Sequence, residues 1–407
     1  MKKTISAIAT ATALSAVMAT SALASTLVIN SNASDPAPRE AWTEIVERFQ
    51  EEYPDIRVVF NEYDHEGYKT VIRNWLVTNP PDVVMWFAGE RMNFFVQRNL
   101  FEDVSDIWDQ NNLHESMASS RAAMTIDDRQ WGIPATYYQW GMYYNQDVFD
   151  ELGLSEPTNW EELLEVGDTL VENGIAPFTI GTRFLWTTAG WFDYLNLRIN
   201  GLDYHNALMA GEIPYTDDGV RDVFMHWKEL VDRGFFIENH ASYTWQEAQP
   251  FLYRGDAAMY LIGNFITPGF PDDVNMGFFQ FPQINPQVGM YEDAPTDTLH
   301  IPARANNKED ARKFLEFAAR PEQQAMLNAT LNQLPTHRDA EVADDPFLQA
   351  GMQMLSASDG TAQFYDRDTV PDMYSVGMEA FQEFMVNPDR LDQILERLER
   401  TRARVFR

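Results

Sequence analysis

The chain contains no cysteine. Disulfides, Cys-ligated zinc, iron–sulfur clusters, thiol catalysis and a lipidated N-terminal Cys are therefore excluded. Lysine is scarce, with six residues at 2, 3, 69, 228, 308 and 313. Basic residues of both kinds number 30 against 62 acidic ones, for a net charge of -32. A surface that negative repels phosphate backbones and anionic headgroups, so no nucleic acid and no anionic membrane face is expected as a partner. Past the N-terminus no stretch reaches 18 consecutive apolar residues, so no membrane insertion of the mature chain is expected. Internal repeats and low-complexity segments are missing. So are G-x-S-x-G, the P-loop pattern and H-E-x-x-H, which leaves no catalytic signature.

What is present is globular in balance: 407 residues, 45% hydrophobic and 23% charged, enough for two or three domains. Lys2-Lys3, an apolar run from Ile5 to Met18 and then Ala22-Leu23-Ala24 form a secretory signal peptide over residues 1–24, cleaved after Ala24. With no cysteine for a lipid anchor, the expected address is a Gram-negative periplasm. The acidic excess with so little Lys also suggests a salt-adapted source, in which high ionic strength screens self-repulsion.

Thr26 to Ile29 reads as a strand running into a polar turn, where Asp35 is a plausible N-cap and Pro36 a fitting first helical residue. Trp42, Ile45, Val46 and Phe49 then mark one helical face. Ile56 to Phe60 is a second strand, Tyr68 to Leu76 a second helix, and Asp82 to Trp86 a third strand after Asn79-Pro80-Pro81. This βαβαβ order implies a parallel sheet that binds ligands at its carboxyl ends. Later come an aromatic strand over 138–145, a Thr158/Glu161 capping box, helices near 184–199, 217–233 and 243–254, and strands near 177–180, 257–262 and 276–281. Two helices, near 372–385 and 389–403, end the chain.

Several segments, taken in order, resemble the bacterial extracellular solute-binding proteins of ABC importers, and best the sugar-binding branch that includes maltodextrin-binding protein. They are Pro81-Asp82-Val83; Trp131-Gly-Ile-Pro134; Tyr143-Tyr-Asn-Gln-Asp147 with Asn159-Trp-Glu-Glu-Leu163; Phe251 to Met259 around Gly255; Ile301-Pro302 with Lys313 to Phe317; and Gln333-Leu-Pro335. The resemblance implies an α/β fold of the two-lobed periplasmic-binding-protein type (type II), each lobe a central sheet flanked by helices. Crossing strands would fall near 134–138, 297–301 and 333–336. The first lobe would be 25–136 plus 298–333, and the second 137–297 plus 334–407. Thr296-Asp297 and Asn264-Phe265 depart from the family pattern, so the identity of the sugar does not carry over.

Sugars are held by aromatic faces stacked on their C–H faces and by carboxylates, amides and Arg bonded to their hydroxyls. Trp86 ends a parallel strand, where burial competes with contact. Tyr138 and Trp140 follow the first crossing. Trp186 occupies a helix start whose family position contacts sugar, whereas Trp191 belongs to the core. Among polar groups, Asn32 and Asp35 lie in the first strand–helix turn, and Asp64 and His65 in the second; either Asp can instead cap its helix. Glu90 follows Trp86. Arg183, Asn264, Asp297 and Gln333 lie at lobe-facing loops or crossings.

The expected function is capture of a carbohydrate by hinge closure and delivery to an ABC permease, by a monomer that needs no cofactor. The same fold also serves polyamine, peptide and metal-ion carriers. Adjacent tyrosines at 137–138 and 143–144 invite the metal reading, although strand alternation puts one ring of the second pair in the core. A secreted glycosidase would need two carboxylates about 5–10 Å apart, a spacing that 62 acidic residues make uninformative.

Overall fold

Two sheets carry the chain in the computed structural model, which describes residues 25–407; the expected signal peptide lies outside the described residues. The first sheet begins with β1 (Ser25–Ser31), β2 (Ile56–Glu62) and β3 (Val83–Phe87), joined through the helices α1 (Pro36–Glu52) and α2 (His65–Thr78). β1 runs parallel to both β2 and β3. The strand Thr296–His300 then pairs antiparallel with β3 and with Ile133–Tyr137, completing five strands. All five residues of β3 are buried, as a central strand covered on both faces requires. Asp82 fastens its start. The buried carboxylate accepts Val28 N–H at 2.9 Å and Asn307 N–H at 2.8 Å.

α1 starts at Pro36, whose fixed φ suits a first helical residue, and buries Trp42, Ile45, Val46 and Phe49 on the face their spacing marks. The expected Thr158/Glu161 capping box does not form, because the helix starts one residue later. Asn159 is the N-cap and accepts Glu162 N–H at 3.0 Å, while the Glu162 carboxylate takes Thr158 N–H at 2.7 Å.

The second sheet orders Met276–Phe279, Trp140–Asn145, Ala257–Gly263 and Ala176–Phe178. Its strand Trp140–Asn145 is flanked on both sides, and all six of its residues are buried. Alternation therefore fails to separate Tyr143 from Tyr144. Tyr143 packs on Phe270 and Phe278, Tyr144 on Phe149 and Phe279, and each hydroxyl finds a partner, Asn264 at 2.7 Å and Glu156 at 2.6 Å.

Two hydrophobic cores result. One draws on Leu27 to Ala135 and on Leu299 to Leu331; the other draws on Tyr138 to Phe281 and on Phe364 to Leu398. Each fully buried Leu, Ile or Phe contributes roughly 1.5–3 kcal/mol, so each lobe has its own driving force. Between the cores the chain crosses at Tyr137, which exchanges backbone bonds with Leu334 at 3.1 and 3.0 Å, and Thr136 Oγ1 donates to Gln333 Oε1 at 2.9 Å. The second crossing, Thr296–His300, has a register shift between Asp297 and Thr298.

Candidate ligand-binding site

A cavity of about 340 Å³ lies between the two cores. The first lobe meets it with the turn after β1, the start of α2 and the end of β3, which are the carboxyl ends of parallel strands. Asn32, Asp35, His65, Trp86 and Phe87 line that side.

Rings dominate the second lobe's side. Trp140, Trp186, Trp245 and Phe265 meet edge to face: 6.1 Å between Trp140 and Trp186, 6.0 Å between Trp186 and Phe265, and 5.1 Å between Trp245 and Phe265. Such crossed rings present faces and edges to one space, the geometry that receives the C–H face of a pyranose. Trp140 reaches its place because residue 190 is glycine; a Cβ there would lie 2.6 Å from the indole. The buried Trp140 Nε1 has no hydrogen-bond partner.

The back wall is ionic. Arg367 donates to the Thr296 carbonyl at 2.8 Å and to the Tyr138 hydroxyl at 2.9 Å, and its guanidinium lies 4.5 Å over the Phe87 ring. Asp297 Oδ1 is 3.0 Å from the same guanidinium but outside hydrogen-bond geometry, so this buried oxygen lacks a hydrogen bond. Burial pushes the Asp297 carboxyl above the usual carboxylate range, with Arg367 opposing. Arg91 reaches from the first lobe to pair with Asp366 of the second. Burial, and then the nearby Lys69, Arg91 and Arg367, push His65 well below the ordinary imidazole range, leaving it neutral. Its Nδ1 lies 3.4 Å from Asn32 Nδ2. The register shift at Asp297/Thr298 lets two consecutive side chains line the same space.

Two side-chain bonds span the opening. Trp186 Nε1 donates to Glu66 Oε1 at 3.1 Å, and Gln246 Nε2 to Asp35 Oδ1 at 3.4 Å. Asp35 therefore serves as a cleft residue rather than a side-chain cap: it precedes α1 but caps no backbone N–H. Burial raises its carboxyl above the ordinary range.

Of the sequence candidates, Asn32, Asp35, His65, Trp86, Tyr138, Trp140, Trp186, Asp297 and Gln333 line the cavity. Four stand elsewhere. Asp64 caps α2 by accepting Gly67 N–H at 2.8 Å. Glu90 opens the helix Glu90–Val96 and accepts from Asn93. Arg183 is half-exposed and pairs with Glu247 at 3.6 Å. Asn264 is buried, accepting from the Tyr143 hydroxyl and donating to the Asn332 carbonyl. Trp245, Phe265, Asp366 and Arg367 line the cavity without having been singled out as site residues. The isolated charge run Asp366-Arg367-Asp368 beside Phe364-Tyr365 was the available signal for the last two.

Known proteins resemble this chain over most of its length. An uncharacterized ABC transporter extracellular-binding protein of Pyrococcus horikoshii is 26% identical over 334 residues, covering 79% of this chain and 74% of that relative. The multiple sugar-binding protein of Streptococcus mutans is 22% identical, covering 67% of this chain and 66% of its own. Among solved structures, the bacterial solute receptor AcbH, described as having an exclusive preference for β-D-galactopyranose, superposes with a TM-score of 0.88 at 29% identity, covering 94% of this chain and 100% of the receptor. The family model for bacterial extracellular solute-binding proteins matches residues 33–325. That span is more than half of the chain, which therefore belongs to the bacterial extracellular solute-binding protein family.

Proposed function

We propose that this protein captures a small carbohydrate in the cavity, closes its lobes around it and hands it, chemically unaltered, to an ABC import permease. The observation that carries the reading is an edge-to-face ring cluster set among polar side chains around one cavity. Trp140, Trp186, Trp245 and Phe265 supply the rings, and Asn32, Asp35, His65 and Asp297 the polar groups. The rings receive the C–H face of a pyranose while the amide, carboxyl and imidazole groups bond its hydroxyls. The volume stands at the low end of the usual ~300–1,000 Å³ range for ligand pockets, which suits one or two sugar rings. The named substrates of the relatives, sugars in both cases, support the same class.

The ligand set is the nine cavity-lining candidates together with Trp245, Phe265, Asp366 and Arg367. The moving halves are residues 25–136 plus 298–333 and residues 137–297 plus 334–407, pivoting on the three crossings. Trp186–Glu66 and Gln246–Asp35 are the closing contacts. The protein acts in the periplasm after removal of residues 1–24, as a monomer with both lobes free to move.

A thermal-shift screen against galactose, other monosaccharides, disaccharides and acidic sugars tests this. At 100 times its Kd a cognate sugar stabilises by ~2.7 kcal/mol. No shift and no calorimetric heat across such a panel would remove the carbohydrate reading.

A further inference from the structure

Among the described residues, seven that are not glycine hold a positive φ. Six are Asn or Asp, whose short polar side chains bond locally and tolerate the left-handed region. The seventh is Leu185, at φ 69°. Leucine has a Cβ that crowds its own carbonyl in this region, and no polar atom to compensate.

The surroundings hold the turn in place. Leu185 N–H donates to the Thr182 carbonyl at 2.9 Å, and Trp186 N–H to the Phe184 carbonyl at 2.8 Å. Thr188 Oγ1 donates to the Leu185 carbonyl at 2.6 Å, and Thr187 Oγ1 to the Gly181 carbonyl at 2.6 Å. Gln382, from the helix Pro371–Val386, fixes the Thr182 carbonyl at 2.6 Å. An unfavourable backbone conformation that the surroundings over-determine is characteristic of functional sites.

The next residue shows what the turn achieves. The left-handed step at Leu185 lets the helix Thr187–Ile199 begin directly after Trp186. The indole then projects to the cavity, edge-on to Trp140, with its N–H on Glu66 of the other lobe. A residue 185 in the right-handed region would extend the helix backwards through Trp186, which is itself right-handed, and would lose the tight turn that Trp186 N–H closes on the Phe184 carbonyl at 2.8 Å.

We propose that Leu185 is a positioning residue for ligand capture: its left-handed backbone, rather than its side-chain packing, sets the direction of the Trp186 indole. The role in capture rests on the carbohydrate reading above; the effect on the indole does not. Two substitutions of opposite character separate the explanations. Leu185→Asn surrenders apolar packing but tolerates positive φ. Leu185→Val keeps apolar packing, but its branched Cβ disfavours that region more than leucine does.

The ligand-independent readout is fluorotryptophan NMR of the full mature chain, with the Trp186 signal assigned through Trp186→Phe. The expected result is a Trp186 resonance unchanged in Leu185→Asn and displaced or broadened in Leu185→Val. In calorimetry with D-galactose, or with the best sugar of the panel, Leu185→Asn should bind within about twofold of the parent and Leu185→Val about tenfold more weakly, both read at constant salt. Melting curves verify that each variant is folded. If Leu185 merely packs, the order reverses, with Val close to the parent and Asn impaired. That reversal, or equal behaviour of the two, overturns the proposal. If no sugar binds the parent, the carbohydrate reading falls while the NMR order still judges the positioning role.

Discussion

Replacing Asp297 by Asn is the sharpest probe of the cavity. The substitution keeps shape and volume but removes the charge of a carboxylate on the cavity wall, 3.0 Å from Arg367. A hydrogen bond from a sugar hydroxyl to a charged acceptor is worth ~1.5–3 kcal/mol, so affinity should fall on the order of 10- to 150-fold. The fold should suffer less. A fully orphaned buried charge costs ~3–5 kcal/mol, but Arg367 keeps the Thr296 carbonyl at 2.8 Å and the Tyr138 hydroxyl at 2.9 Å. Titration calorimetry with the cognate sugar, alongside a melting curve, separates the two effects. A folded Asp297→Asn protein whose Kd stays within about twofold of the parent would refute contact between this carboxylate and the ligand.

Asp293 is fully buried, neither of its carboxyl oxygens has a partner, and burial, with Asp368 and Glu292 adding to it, pushes its pKa well above 3.8. The folded state therefore holds this proton more tightly than the unfolded one, and stability falls as pH rises above the unfolded value. Asp293→Asn should raise the melting temperature at about pH 8, with the gain vanishing near about pH 4; a gain independent of pH contradicts the assignment. Burial lowers His300 from 6.5 to about 4, so the native chain should lose stability as pH falls from the first value towards the second. The loss is on the order of 3 kcal/mol, and His300→Gln should flatten that limb of a pH–melting profile. Gly89 has φ 67° and an added Cβ would stand 2.3 Å from the Arg367 carbonyl oxygen; Gly89→Ala should cost about 1–3 kcal/mol in denaturant melts and weaken sugar binding. If the acidic surface reflects salt adaptation, the melting temperature should climb with added salt, and a flat response argues against it.

Periodicity made α1, α2 and the parallel strands legible, because a buried face repeats at fixed spacing whatever lies opposite. The cavity rings were legible where a strand end or helix start announced them, as for Trp86, Trp140 and Trp186. The spacing of Trp42 marks it as a core ring, yet it touches the cavity as well, since a helix beside a cleft buries one flank into it. Asp64 and Asp35 look alike before a helix, and the sequence holds no sign that one would cap and the other face a glutamine across the opening. Arg367 meets Tyr138 across 229 positions and Thr296 across 71, distances over which no local pattern acts. The left-handed Leu185 was invisible for the opposite reason: its residue type argues against the conformation that its neighbours impose.

The first hydrophobic core joins residues near the start of the chain to the stretch from Leu299 to Leu331. A nascent polypeptide that has emerged only as far as residue 290 therefore lacks the pieces needed to seal even its earliest half. Such long loops delay closure and keep sticky surface available in the meantime. The consequence is a molecule that stays pliable until nearly all of its length has been made.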